Sequence, residues 1–453
     1  LVERRGRSLS AVQLLALSFA GLIAVGTIGL LVLPGLYVGP RLSVIDALFT
    51  ATSAVCVTGL IVVDTATYFT TLGQVWILCL IQLGGLGILT IATTIILAIG
   101  RRPALTVHES VGQQAPRQSG TGLRRTLWSV VLLTLAAEMS GAILLWVHWG
   151  SELGWGRALG HAVFHAVSAF CNAGFSTFST SLSGFQRDPS TLGIVAALVV
   201  LGGLGFVVVG DLWTRYVRRT TRRLRLHTVL VLAATAVLLV GGALLYYGFE
   251  VRNTLAALPP LHRVTNALFM SVTARTAGFN AVGYDAVSDP SVVLTLILMF
   301  VGGSPGSTAG GVKTTTIALL AVLFVSYLRG RRHVSVRGRT VPPETVHLAT
   351  GLIVAGLVAV AVSIFVLMLS EVPGGTTDRV LLVRAAFESV SAFGTVGLSM
   401  GLTPALTVGG KGVIVLLMFL GRVGPLTLAA SMAIAQHRRR VHYRHAYETV
   451  AIG

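Results

Sequence analysis

The sequence predicts an all-α polytopic membrane protein of four tandem repeats with pseudo-fourfold symmetry and eight spanning helices. Three observations predict it. The first is composition. The 453 residues are 54% hydrophobic and only 11% charged, and the mean hydropathy is +0.82. Apolar runs of about the 20 residues that cross a bilayer recur at Val12–Leu33, Val75–Ile99, Leu127–Val147, Val229–Tyr246 and Leu352–Leu369. The second is a small, polar, glycine-bearing segment that occurs four times, at Ser53–Leu60, Ser168–Phe175, Ser271–Phe279 and Ser391–Leu398. Each places one glycine, Gly59, Gly174, Gly278 or Gly397, just before a Leu or Phe, and the intervals between these glycines are 115, 104 and 119 residues. The third is a second glycine landmark in near-constant phase with the first. Gly84, Gly202, Gly302 and Gly421 follow their loop glycines by 25, 28, 24 and 24 residues.

Each repeat reads as a helix, a half-helix, a loop and a returning helix. In residues 1–100 the first helix is Val12–Leu33, broken by Pro34-Gly35 and Gly39-Pro40. The amphipathic piece Ile45–Ala54 is too short to cross and fits a helix that dips in and stops. The loop Val55–Leu60 follows, and Leu72–Ile99 returns. Residues 101–225 repeat the order with Thr126–Val147, Ala158–Phe170, Cys171–Phe175 and Thr191–Tyr216. Residues 226–340 do so with Thr228–Tyr247, His262–Val272, Thr273–Phe279 and a return from Ser291. Residues 341–453 close the series with His347–Leu369, Val380–Ala392, Phe393–Leu398 and Gly412–His437.

Charge sets the expected orientation. Of 34 Lys and Arg, 23 fall in five clusters, at Arg4–Arg7, Arg101–Arg125, Arg215–Arg225, Arg329–Arg339 and Arg438–Arg444. These are the two termini and the three joints between repeats, so the excess of basic residues on the inner side puts all five, and both termini, in the cytoplasm. Three crossings per repeat would alternate the joints between sides, which the clusters do not do. The net charge of +18 sits at helix ends, where anionic lipid headgroups account for it, and no nucleic-acid partner is expected. Cys56, Cys79 and Cys171 lie in apolar context without disulfide or metal spacing. Cys56 and Cys171 hold matching repeat positions and read as small packing residues. The basic start before Leu14–Leu33 reads as a retained first helix rather than a cleaved signal. A chain that starts at Leu1 rather than Met suggests that residues preceding it are missing.

Non-helical backbone is excluded from lipid and tolerated only where protein buries it or it lines water. Four such loops at membrane depth imply four walls around one pathway. Their carbonyls can replace a cation's hydration shell, and glycine permits the left-handed backbone that aims successive carbonyls one way. Each half-helix directs its partially negative C-terminus at the axis, which favours a cation. None of the four loops holds Asp or Glu.

With these units in view, the whole chain resembles the Ktr/Trk/HKT superfamily of potassium transporters, and is most like the KtrB membrane subunit. The resemblance rests on four M-P-M units, on one loop glycine per unit, and on segments such as Thr273-Ala274-Arg275-Thr276-Ala277-Gly278-Phe279. It implies a selectivity filter of Val57, Thr58 and Gly59; Asn172, Ala173 and Gly174; Thr276, Ala277 and Gly278; and Thr395, Val396 and Gly397. A serine at the first filter-glycine position goes with sodium-favouring members of that superfamily. Gly59 stands here, so potassium is the implied permeant ion, with sodium as a candidate activator and no covalently bound cofactor. One glycine per loop predicts fewer well-formed sites and weaker exclusion of sodium than a filter with two.

Repeat three departs from the pattern below the loop. Gly302-Gly303-Ser304-Pro305-Gly306-Ser307-Thr308-Ala309-Gly310-Gly311, with Lys313 shortly after, cannot hold a regular helix. The stretch looks like the family's intramembrane gating loop. Its likeness to a phosphate-binding loop is superficial, because the lysine falls one position late and no strand precedes it. Arg422 is the second departure, standing where Gly85, Gly203 and Gly303 stand in the other repeats. An arginine within an apolar helix is costly unless it faces water or a partner, so it is a functional candidate, and the resemblance implies an electrostatic barrier under the filter.

Glu388 and Arg275 are expected to pair behind the filter, Glu138 to pair or hydrogen-bond with a neighbour, and His161 and His165 to pack rather than bind metal. No nucleophile, base and acid converge, so the chain does not read as an enzyme. The resemblance further implies a homodimer with one pore per protomer, and a separate cytosolic nucleotide-binding regulatory ring, KtrA-like, docked on the basic faces and Ala435–Gly453. Two other readings stand beside it: a sodium or mixed cation transporter of the same fold, and an alternating-access carrier. The second requires inverted repeats, whereas these run in one orientation.

Overall fold

The computed structural model describes residues 11–100, 120–217, 219, 223–330, 335–336, 339–371 and 379–438. The basic clusters Arg4–Arg7 and Arg439–Arg444, most of Arg101–Arg125, and the C-terminal stretch beyond residue 438 lie outside the described residues. The described chain is almost wholly helical, with a single two-residue antiparallel ladder, Ser335–Val336 against Arg339–Thr340.

Helix α1 (Ala11–Val32) is followed by α2 (Val44–Val55), the single turn α3 (Thr65–Tyr68) and α4 (Thr71–Gly100). Then come α5 (Gly120–Leu153), α6 (Trp155–Cys171), α7 (Pro189–Leu204) and α8 (Phe206–Leu212), which runs on into a π-helical turn at Trp213–Val217. Next are α9 (Leu226–Glu250), α10 (Pro260–Thr273), α11 (Asp289–Phe300) and α12 (Thr314–Leu328). The chain ends with α13 (Pro343–Glu371), α14 (Arg379–Gly394) and α15 (Val408–Arg438). Among the described residues three helices are long and apolar enough to cross a membrane by themselves: Leu127–Leu153, Leu226–Glu250 and Pro343–Glu371.

The helix starts follow local chemistry. Ser43 caps α2, its Oγ accepting from Asp46 N at 3.2 Å. Asp188 caps α7, its Oδ1 accepting from Ser190 N at 3.0 Å and Thr191 N at 3.2 Å, with Pro189 in the first turn. Two long helices end in an acid that reaches across to the start of a later helix. Glu250 of α9 accepts from Ser288 N at 2.9 Å and Ser288 Oγ at 2.7 Å. Glu371 of α13 accepts from Thr407 N at 3.1 Å and Thr407 Oγ1 at 2.7 Å, just before α15. Each carboxylate satisfies N–H donors that a helix start leaves unpaired and faces the positive end of its dipole.

Packing closes the helices into a ring. The long helices α1, α5, α9 and α13 lie against α2, α6, α10 and α14. The later helices then bridge onward: α4 to α6, α7 to α10, α11 to α14, and α15 back to α2. At that last seam Lys411 Nζ meets Asp46 Oδ1 at 2.7 Å. The core lies inward, where α2, α6, α10 and α14 end in runs of buried residues, among them Thr52, Ala54, Ala169 and Ala392 with no exposure. Outward faces carry large apolar side chains, such as Leu132, Val237 and Phe365 at 69%, 71% and 66% exposure, as expected where hydrocarbon replaces water.

One expected helix differs. The sequence predicts one continuous helix over Thr191–Tyr216, but it breaks at Gly205, and Pro189–Leu204 meets Phe206–Val217 at 99°. Gly205 stands at φ +83, and a Cβ there would sit 2.9 Å from Pro305 O and 3.1 Å from Gly306 O. Pro305 and Gly306 lie against the turn, and glycine is the residue that takes this positive φ without strain.

Candidate functional site

The four glycine-bearing loops meet. An ideal Cβ on Gly59 would lie 2.4 Å from Ala173 O, on Gly174 2.9 Å from Ala277 O, on Gly278 2.3 Å from Val396 O, and on Gly397 2.2 Å from Thr58 O. The contacts run from the first loop to the second, third, fourth and back to the first. Each glycine thus makes room for the carbonyl that precedes the next glycine around the ring. All four glycines line one open vestibule of about 420 Å3, whose wall includes Asp64, Phe175, Ser176 and Ser399.

Local backbone is the same in all four. The glycines lie at φ +94, +69, +78 and +89, and the residues two before them, Val57, Asn172, Thr276 and Thr395, at +55, +62, +72 and +50. Left-handed backbone at the β-branched Val57, Thr276 and Thr395 costs about 1–3 kcal/mol each and persists only when its surroundings impose it. Hydroxyls at the ends of the half-helices provide part of that restraint. Ser53 Oγ accepts from Gly59 N and Ser391 Oγ from Gly397 N, both at 3.1 Å. Ser168 Oγ donates to Phe175 O at 2.8 Å and Thr273 Oγ1 to Phe279 O at 2.7 Å. The sequence signal for these anchors is the hydroxyl residue within each repeated segment. In the third segment the leading Ser271 instead donates to Leu239 O of α9 at 2.9 Å, and Thr273 takes the anchor's place.

The second glycine landmark backs the half-helices. A Cβ on Gly84, Gly202 or Gly421 would lie 2.0, 1.9 or 1.9 Å from Val55 O, Phe170 O or Phe393 O. A Cβ on Gly302 would instead lie 1.9 Å from Gly310 O, because the third unit carries the irregular stretch. This stretch, Val301–Lys313, connects α11 to α12 and is buried apart from a half-buried Pro305 and Lys313. Its backbone is satisfied by its neighbours: Ser304 N donates to Gly203 O (3.0 Å), Thr308 N to Gly202 O (3.2 Å) and Gly311 N to Gly421 O (3.3 Å). Thr308 Oγ1 donates to Phe170 O at 3.1 Å, and Gly310 lies against the Thr395 side chain. The stretch therefore packs against Gly202 and Gly421 of the second landmark, against Gly203, and against the Phe170 carbonyl and the Thr395 side chain of two glycine-bearing segments.

Two cations hold it. Arg422, 2% exposed, donates from Nη1 to Thr308 O, and its Nε and Nη2 have no hydrogen-bond partner. Lys313 Nζ donates to Ala309 O at 2.6 Å. Among the described residues no carboxylate pairs with either. Thr58 and Thr395 carry buried hydroxyls without a protein partner.

Glu388 and Arg275 do not pair. Glu388 accepts from Ser399 Oγ, from Leu402 N at 3.3 Å and from Thr403 Oγ1 at 2.9 Å, so donors from its own repeat occupy both oxygens. Arg275, 8% exposed, keeps an unpaired Nε beside a cavity of about 20 Å3 that Thr235, Gly203 and Gly303 also line. Glu138 accepts from Gln82 Nε2 at 3.0 Å. His165 meets His161 O at 2.8 Å and Ser176 Oγ at 3.0 Å, and both imidazoles stack on Phe178. No metal-binding cluster occurs among the described residues. Cys56 and Cys171 are buried and Cys79 is exposed.

An apolar helical ring around four carbonyl-bearing loops has the form of a membrane cation-transport protein. The TrkH family, described as cation transport proteins, matches residues 18–441, and this chain belongs to it. The Ktr system potassium uptake protein B of Vibrio alginolyticus is 38% identical over 93% of this chain and 91% of its own. The potassium/sodium uptake protein NtpJ of Enterococcus hirae is 37% identical over 100% of this chain and 99% of its own. The crystal structure of the potassium transporter TrkH from Vibrio parahaemolyticus aligns with a TM-score of 0.74 and 20% identity, covering 95% of this chain and 86% of that one. That likeness concerns the fold.

Proposed function

We propose that this chain is the ion-translocating subunit of a Ktr-type potassium uptake system in the cytoplasmic membrane, with both termini cytoplasmic. The observation that carries the reading is the cyclic contact of Gly59, Gly174, Gly278 and Gly397, each against the next loop's carbonyl. Residues 1–100, 101–225, 226–340 and 341–453 would be four M-P-M units around one pathway, with eight spanning helices. Potassium sheds water against carbonyls of Val57–Gly59, Asn172–Gly174, Thr276–Gly278 and Thr395–Gly397, where fixed dipoles replace hydration. It then meets the Gly302–Gly311 stretch, which acts as a gate. Arg422 and Lys313 place positive charge under the filter, and passage requires the loop and Arg422 to move apart. Two protomers, each with its own pore, and a separate KtrA-like nucleotide-binding ring complete the assembly.

A second reading, mixed potassium and sodium transport, is favoured by the match to NtpJ across the entire chain. One experiment separates the two. The purified chain is placed in potassium-loaded liposomes and rubidium-86 uptake is measured against external potassium or sodium. Competition by potassium alone supports the potassium filter, and equal competition supports the mixed reading. If uptake is absent both in the intact chain and in one with the Gly302–Gly311 loop shortened, the pore reading fails.

A further inference from the structure

The 99° turn at Gly205 has a consequence in the bilayer. The two pieces together form one candidate broken span; with α7 along the bilayer normal, Phe206–Val217 would run close to the membrane plane. Its far end is exposed: Trp213, Tyr216 and Val217 are 57%, 68% and 55% exposed. Arg215, Arg219, Arg223 and Arg225 are exposed as well. Aromatic rings beside arginines at the end of an apolar segment are the composition that settles at headgroup level, rings at the interface and guanidinium groups on phosphate. Residues 211–225 contain six arginines and one acid, Asp211. That acid already accepts from Thr228 Oγ1 at 2.7 Å and pairs with Arg225 Nε at 3.3 Å, so the segment keeps a strong positive excess.

The near end of the same segment touches the irregular stretch. Phe206 N donates to Gly306 O at 3.2 Å, two residues before the carbonyl that Arg422 grips. A rigid seven-residue helix, Phe206–Leu212, thus links that stretch to an aromatic and basic surface.

We propose that Phe206–Val217, with Arg219 and Arg223, is an in-plane lever that binds anionic phospholipid headgroups of the inner leaflet and transmits their occupancy to the Gly302–Gly311 loop through the Phe206–Gly306 bond. Its regulatory meaning rests on the reading of that loop as a gate. The exposed Trp213 and Tyr216 favour a lipid surface over an acidic cytosolic protein, which would need no interfacial aromatics.

The test uses the full chain in vesicles containing brominated phosphatidylglycerol or, at the same fraction, brominated phosphatidylcholine. The component of tryptophan emission that Trp213→Phe removes is quenched about threefold or more by the anionic lipid relative to the zwitterionic one. The Arg215→Gln, Arg219→Gln, Arg223→Gln triple variant abolishes that preference. Amide hydrogen exchange of residues 302–313 reads the coupling. Phosphatidylglycerol changes the loop's exchange in the wild type but not in Phe206→Pro, which removes the donor at a helix position that tolerates proline. Equal quenching by the two lipids, or wild-type behaviour of the triple variant, overturns the lipid surface. Lipid preference with unchanged loop exchange overturns the lever. Neither readout uses transport, so a failure of the pore reading would appear in the rubidium assay alone.

Discussion

Adjacent glycines of α7 should respond in opposite ways to the same added methyl. A Cβ on Gly202 would stand 1.9 Å from Phe170 O and 2.9 Å from Thr308 Oγ1, whereas the nearest atom to a Cβ on Gly203 is Asn172 Nδ2 at 3.6 Å. The Phe170 carbonyl is backbone at the end of a half-helix and already accepts from Thr308, so it cannot swing away as a side chain would. The overlap exceeds an ångström, and relieving it means separating α7 from α6 and lifting the Gly302–Gly311 stretch. Forcing a methyl into a packed site costs about 1–3 kcal/mol. Against that, alanine gains up to about 1 kcal/mol over glycine in a helix interior, less here in the last turn. Gly203→Ala is therefore expected to be neutral or slightly stabilising. Gly202→Ala should lose about 1–2 kcal/mol and raise amide exchange across residues 302–313. Both substitutions restrict the unfolded chain alike, so the difference between them isolates the folded-state contact. Thermal unfolding in detergent, run side by side, reads it. Equal stability of the two variants would refute the claim that these glycines exist to admit the half-helix carbonyls.

Other positions yield equally direct outcomes. Gly59→Ser must displace Ala173 O, 2.4 Å from the new Cβ, and strains a residue at φ +94; sodium should compete more strongly for rubidium-86 uptake, and unchanged competition would remove Gly59 from the filter. Arg422→Met deletes the donor to Thr308 O and one positive charge, so uptake through the isolated chain should rise severalfold, while a fall would assign Arg422 to holding the pathway open. For Asp188, partial burial pushes the carboxyl up, but hydrogen bonds from Thr191 and from His148, which lies 2.8 Å away, outweigh it and hold the group below its usual range. A carboxyl depressed in the folded state stabilises above its unfolded value and loses that contribution as pH falls through the folded one. Asp188→Asn keeps a capping oxygen but loses the negative charge at the helix start, so it should cost about 0.5 kcal/mol at neutral pH, and the gap from wild type should close as pH drops below about 4. A gap that persists under acid conditions would exclude the charged cap.

Much of this site was legible in the chain because one steric requirement recurs at four loops. Each loop needs a residue at positive φ where the next loop's carbonyl comes close, and only glycine fills that place without collision, so Gly59, Gly174, Gly278 and Gly397 stand out by recurrence. Gly84, Gly202 and Gly421 recur for the same steric reason. The irregular stretch at Gly302–Lys313 was visible because Pro305 and its glycines disfavour helix. The acids were not legible. Glu250, Glu371 and Glu388 each take partners 11 to 41 residues away, beside near neighbours such as Thr254 for Glu250 and Ser370 for Glu371, and no local pattern names the distant helix start that a carboxylate will cap. Arg275 and Glu388 were matched by charge alone, and the hydroxyl donors of residues 399–403 proved closer.

Gly-Gly-Leu-Gly marks where such reading ends. The tetrapeptide occurs at residues 84–87 and again at 202–205. In the first copy Gly87 continues the helix α4; in the second, Gly205 stands at φ +83 and the helix turns by 99°. Composition, hydrophobic period and glycine spacing determined by themselves that helices surround four loops, since these are local preferences and repeated steric demands. Which of two identical tetrapeptides stays helical was decided only when Pro305 and Gly306, a hundred residues further along, came to rest against one of them.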